Sequence, residues 1–182
     1  MIYGSLAVTV IALGIAFPLG IATAVFTSEM LSATVRVYAK SFLELLAGIP
    51  SIVYGLMGVA FLSVFVQDVF VLLSGRTILT GGILLSIMIL PTVITLCDDA
   101  MHHIPMSYRE AARGLGLYKY EVVKDVVLPA AKMDILGALL LALGRVLGET
   151  MAVMLVIGSL DKIPTPFWNV LAPGQTITSK LG

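Results

Sequence analysis

The sequence predicts an all-α protein, a polytopic bundle of transmembrane helices, on three observations. Of 182 residues 59% are hydrophobic and only 12% charged, with a mean hydropathy of +1.05, beyond what a soluble domain of this size carries. Four apolar stretches are each long enough to cross a hydrocarbon core of about 30 Å, which needs about 20 residues. Between the third and fourth lies a charged island, Asp98 to Asp134, holding five of the eleven Lys and Arg.

The first stretch, Ile2 to Thr27, contains no charge and lacks a basic leader-like start, so it reads as a retained span. Leu45 to Val66 is the second and Thr77 to Leu96 the third. Ile135 to Leu160 is the fourth, interrupted by Arg145 and Glu149. Pro18, Pro50 and Pro91 each remove a helix hydrogen bond inside a span, which implies that the helices pack together around something. Gly144 and Gly148 stand in a GxxxG spacing that permits close helix approach, and ordinary packing explains them equally well. The nine Met show no periodicity and fill space. No tandem repeat is present.

Charge sets the orientation. Arg36 and Lys40 fall between spans one and two and five more basic residues between spans three and four, seven on one side; Arg76, Lys162 and Lys180 lie on the other. The positive-inside bias puts the first and third loops in the cytoplasm, with the N-terminus and the tail Asp161 to Gly182 outside. Net charge is zero and unevenly spread, with no nucleic-acid footprint. A lone Cys97 excludes an intramolecular disulfide and a multi-cysteine metal site, and reads as a small apolar filler.

Within the island, Ser107-Tyr108-Arg109-Glu110 fits a capping box after Pro105, and Gly114 and Gly116 can stop the helix. A second amphipathic piece runs from Tyr118 to Leu128, with Val122, Val123, Val126 and Val127 among Lys119, Glu121, Lys124 and Asp125, until Pro129 ends it. Two short helices joined at glycines form a knob on this reading. By spacing alone, Glu110 can be merely a cap and Ala111 and Ala112 merely good helix formers.

Arg145 and Glu149 are the sharpest signal inside a span. On a helix starting at Ile135 they sit about 15 and 21 Å along it, near the bilayer centre. Charge there costs a few kcal/mol or more, and ionisable residues inside spans are usually functional. Arg before Glu is the weaker order for local stapling, so helix stability is an incomplete explanation. Either Arg145 meets an anionic solute while Glu149 compensates or gates, or the two make structural pairs to a neighbouring helix.

Asp99 and His103, four apart, with Cys97, Asp98 and His102 nearby, match no known metal-ligand spacing, and no metal is expected. Asp98 and Asp99 read as ordering the loop into the knob. Tyr3, Tyr38, Tyr54 and Trp168 suit interfacial anchoring rather than cofactor stacking. No zinc HExxH, Gly-x-Ser-x-Gly elbow or P-loop is found, so no catalytic residue is expected.

Glu110-Ala111-Ala112, then Gly116, then Val126-x-Leu128-Pro129 resembles the EAA loop of ATP-binding-cassette (ABC) importer permeases, with Val126 where the family commonly has Ile. In that family this loop docks in a groove of the ATPase subunit. Leu46-Ala47-Gly48-Ile49-Pro50-Ser51-Ile52-Val53-Tyr54-Gly55 and Gly144-Arg145-Val146-Leu147-Gly148-Glu149-Thr150-Met151-Ala152-Val153 are similar to phosphate importer permeases, the second favouring the PstC type over the PstA type.

The resemblance implies the ABC importer permease fold, with four spans plus cytoplasmic coupling helices. Residues 1–182 would be a single permease domain, the core of a six-span subunit without its first and last spans. It implies phosphate import by alternating access, with Arg145 and Glu149 on the substrate pathway and Glu110, Ala111, Ala112, Gly116, Leu128 and Pro129 coupling to the ATPase. The implied partners are an ATPase dimer, a second permease subunit, an extracytoplasmic phosphate-binding protein and the prokaryotic plasma membrane. ATP and Mg belong to the ATPase, and the permease itself needs no cofactor. The alternatives are a PstA-type subunit, a permease for sulfate or molybdate, a secondary transporter that leaves the knob idle, and a membrane scaffold that leaves the midspan charges unexplained.

Overall fold

The computed structural model describes residues 2–158 and 169–181. Leu160, Asp161, Lys162 and Trp168 lie outside the described residues. Four helices have the length and apolarity to cross a membrane: Ile2–Glu29, Ser51–Phe70, Ile78–His102 and Lys119–Gly148.

In chain order, α1 is Ile2–Glu29, α2 Ala33–Ala47 and α3 Ser51–Met57. A π-helical segment, Gly58–Leu62, carries α3 into α4, Ser63–Phe70. Then come α5 (Ile78–His102), α6 (Met106–Gly114) and α7 (Lys119–Glu121). A second π segment, Val122–Val127, joins α7 to α8 (Leu128–Gly148), followed by α9 (Met151–Val156) and α10 (Ile177–Leu181). Pro18 and Pro91 lie inside α1 and α5.

Several expectations are corrected. Pro50 is not within a span; it is the N-cap of α3, so the second span begins at Ser51, and Arg36 and Lys40 belong to a helix rather than a loop. Ser107 does not cap α6. That helix starts at Met106 behind Pro105, with no side-chain cap, because Pro at the boundary pre-sets an extended entry. The reciprocal bond found instead runs from the Tyr118 N–H to Glu121 Oε2, 2.7 Å, at the start of α7.

Pro129 does not end the second island helix either. The valine-rich piece passes through the π segment, where the Leu128 N–H reaches back five residues to the Val123 carbonyl, directly into α8. Loosening the register one residue before the proline lets the helix continue. The fourth span is therefore Lys119–Gly148, not Ile135–Leu160, and it stops at Glu149.

Contacts divide the chain into two compact units. The first comprises Met1–Ala16, Gly48–Ile89 and Leu143–Gly182; the second comprises Phe17–Ala47 and Leu90–Ala142. In the first unit, Leu84, Ala152 and Val156 form a core flanked by Tyr54, Val59, Leu62 and Leu155. The first N–H groups of α5 are satisfied there by Thr77 Oγ1 and by the carbonyls of Val170 and Ala172. In the second unit α6 packs on the π segment Val122–Val127, whose Val122, Val123 and Val127 are buried.

Candidate functional site

In the second unit, α6 is a nine-residue helix whose two faces differ. Arg109 and Ala112 are buried, whereas Tyr108, Ala111 and Leu115, spaced three and four apart along one side, are exposed. Its end is a Schellman motif: Gly116 stands at φ +86, its N–H bonds the Arg113 carbonyl at 2.9 Å, and the Leu117 N–H bonds the Ala112 carbonyl at 3.3 Å. Gly116 rather than Gly114 supplies the stop, since Gly114 still lies inside the helix. Of the expected coupling residues, Glu110, Ala111, Gly116 and Pro129 are exposed, Leu128 is half-buried and Ala112 is buried.

The same unit holds charge pairs that sequence reasoning missed. Arg36 Nη2 meets Asp98 Oδ2 at 2.7 Å, with Arg36 Nε at 3.2 Å from the same oxygen and Nη1 at 2.7 Å from His102 Nδ1. Thr27 Oγ1 donates to the other Asp98 oxygen at 3.3 Å. Lys40 pairs with Asp99. One turn apart on α2, two cations thus clasp two consecutive carboxylates near the end of α5, and Asp98 and Asp99 fix helices rather than a loop. Arg109 Nη1 lies 2.6 Å from Glu29 Oε1, and Nη2 is 2.8 Å from the Met101 carbonyl. The readable hint was the i, i+4 spacing of Arg36 with Lys40 and of Asp98 with His102; the partners across the fold were not readable.

In the first unit the two stretches similar to phosphate permeases are brought together. Each holds a helix break followed by a new helix, Gly48–Pro50 before α3 and Glu149–Thr150 before α9, and α3 packs on α9. The approach is close: a Cβ on Gly55 would sit 2.8 Å from Leu155 Cδ1 and 3.0 Å from Ala152 Cα.

Arg145 stands half-buried in the last turn of α8, where a cation complements the helix dipole. Glu149 lies just beyond. Its Oε1 accepts from the Ala152 N–H at 3.3 Å at the start of α9, and its carbonyl accepts from Thr178 Oγ1 at 2.8 Å. Beside it is a cavity of about 20 Å³, roughly one water in size, lined by Ser5, Thr9, Glu149, Thr176 and Thr178 among apolar groups.

Four membrane-length helices, a short helix between the third and fourth that ends in a Schellman turn, and a fourth that stops at Glu149 mark a multi-pass membrane protein. The chain belongs to the family described as binding-protein-dependent transport system inner membrane component, which matches residues 16–176. It is 40% identical to the "Probable ABC transporter permease protein YqgH" of Bacillus subtilis, with 100% of this chain and 59% of the relative aligned. It is 37% identical to the "Phosphate transport system permease protein PstC" of Mesorhizobium japonicum, covering 99% of this chain and 60% of that protein. Its identity to the protein of the same name from Mycobacterium leprae is 35%, covering 95% and 59%.

The chain thus spans about three-fifths of the length of these relatives. A solved structure of the MetNI methionine ABC transporter in inward-facing form superposes with a TM-score of 0.65 at 18% identity, over 80% of this chain and 68% of that one, which supports the permease fold.

Proposed function

We propose that this protein is a transmembrane subunit of an ABC importer that moves inorganic phosphate by alternating access. The observation that carries the reading is the break at Glu149–Thr150, with Arg145 in the last turn before it. Discontinuous helices are a recurring way to build a solute site inside a membrane, because the ends leave backbone groups and fixed charge for the solute. A guanidinium there offers an anion a permanent positive charge and paired donors. Glu149, engaged by the α9 N-terminus, limits that attraction so that the anion can leave.

The names of the PstC relatives support phosphate over sulfate or molybdate and the PstC type over PstA. Membership of a binding-protein-dependent family favours ATP-driven import over secondary transport or a scaffold. The seven basic residues counted to one side, Arg36, Lys40, Arg109, Arg113, Lys119, Lys124 and Lys132, all fall in the second unit, which supports a cytoplasmic face there.

On that face, the exposed stripe Tyr108, Ala111 and Leu115, with Glu110 and Gly116, is the surface for the ATPase groove. Leu128 and Pro129 lie at the start of α8, beyond the π segment on which α6 packs. ATP and Mg are bound by the ATPase dimer, and a second permease subunit and an extracytoplasmic phosphate-binding protein complete the machine. The permease holds no cofactor and breaks no bond.

The test is ATP-dependent uptake of radioactive phosphate by the complete complex in vesicles, with sulfate and molybdate as competitors and with Arg145→Lys and Glu149→Gln. Competition by phosphate alone and a loss of uptake in Arg145→Lys with assembly intact are expected. Normal uptake by both variants would remove the pathway assignment.

A further inference from the structure

Arg109 faces two helix ends at once. Glu29 is the last residue of α1 and Met101 the next-to-last of α5, so both acceptors lie where a helix presents unpaired carbonyls and partial negative charge. A carboxylate at such an end is unfavourable without a cation. The guanidinium provides one, with Nη1 on Glu29 and Nη2 on the Met101 carbonyl, and the pair is nearly dry, its side chains 11% and 7% exposed. Its Nε finds no partner among the described residues, so the group is oriented by these two bonds alone.

Besides this tie, α6 is attached within the unit by its packing on the π segment Val122–Val127. Ala112 is its one other buried residue, and a nine-residue helix is too short to be stable on its own. From this geometry we propose that Arg109 is a positioning residue that ties α6 rigidly to the ends of α1 and α5, so that a displacement of α6 becomes a displacement of two spans. The proposal rests on the reading of α6 as the ATPase-coupling helix. Lysine can substitute only in part, because a point charge can pair with Glu29 but lacks the planar fork that serves two acceptors in fixed directions. For the same reason exchanging the charges cannot rescue: Glu29→Arg with Arg109→Glu would set a carboxylate against the Met101 carbonyl.

The experiment uses the complete transporter with its ATPase in lipid vesicles, in five forms: unaltered, Arg109→Gln, Glu29→Gln, Arg109→Lys and the exchange of Glu29→Arg with Arg109→Glu. Phosphate carried per ATP hydrolysed is measured in each. Spin labels at exposed Met30 and Ser107 report the distance between α6 and the end of α1 on the same complexes. Expected are intact assembly and basal ATP hydrolysis, a roughly 3- to 30-fold fall in the ratio for Arg109→Gln, a smaller fall for Glu29→Gln, partial recovery in Arg109→Lys, no recovery in the charge exchange, and a broadened distance distribution.

An unchanged ratio in Arg109→Gln overturns the proposal whatever the distances do. Failure of both Gln variants to assemble also overturns it, since Arg109 would then serve folding alone. If the unaltered complex carries no phosphate, the substrate reading fails instead, and the spin-label distances with the stimulation of ATP hydrolysis by the binding protein still judge the tie.

Discussion

Replacing Gly116 by Ala tests whether the stop of α6 is set by backbone geometry. At φ +86 an L side chain is strained, and no heavy atom among the described residues lies within 4 Å of the Cβ that alanine would add. The penalty is therefore conformational and not steric, about 1–2 kcal/mol. Alanine also stiffens the opened chain, which returns about 0.4–1 kcal/mol. The remainder, about 1 kcal/mol, corresponds to roughly fivefold more frequent opening of the Schellman turn. Hydrogen exchange of the Leu117 amide, which bonds the Ala112 carbonyl, reads this directly in the purified complex. Gly116→Asn is the control, because asparagine tolerates the left-handed region better than alanine, and it should open less. Equal exchange in Gly116→Ala and the unaltered protein, or a larger effect from Asn than from Ala, would refute the backbone argument.

Gly55→Ala should loosen the contact of α3 with α9 and cost about 1–3 kcal/mol, because its Cβ would press on the backbone Cα of Ala152, which cannot rotate away; thermal unfolding of the complex measures it. Arg36→Met should cost about 3 kcal/mol by leaving Asp98, whose side chain is 4% exposed, buried without its cation. The double variant Arg36→Met with Asp98→Leu should cost less than that single change, a comparison made in the same unfolding assay. Val71→Gly should stabilise by about 1 kcal/mol, since Val71 caps α4 at φ +50, a conformation a β-branched residue resists; a lowered unfolding temperature would contradict it.

Much of the fold was legible because span formation depends on local, additive hydropathy. The charge-free run from Ile2 and the run from Thr77 each became one long helix, extended at the far end to Glu29 and His102. Legibility failed where the helix rules met proline. Pro50 and Pro129 carry the same local signal, yet one begins a helix and the other rides inside one, and the difference is the π segment that shifts the hydrogen bonds ahead of Pro129. The island's motif residues were readable, and Gly116 was rightly suspected as a stop. Arg109, between two motif residues, was read only as part of a cap.

By itself the sequence determined that this stretch carries four apolar runs of membrane length, that seven of its eleven basic residues fall between the first and second or the third and fourth of them, and that its charged island and its Arg145–Glu149 pair are the places to look. These follow from composition, spacing and the cost of charge in lipid, which neighbours along the chain suffice to set. Only the tertiary structure decided that the fourth span breaks at Glu149, where Thr178, 29 residues on, takes the carbonyl the helix would have used. It alone matched Arg109 to Glu29 across 80 residues and Arg36 to Asp98 across 62. An ion pair or a capped helix end is a statement about two groups meeting in space, and no local pattern encodes which distant group will be there.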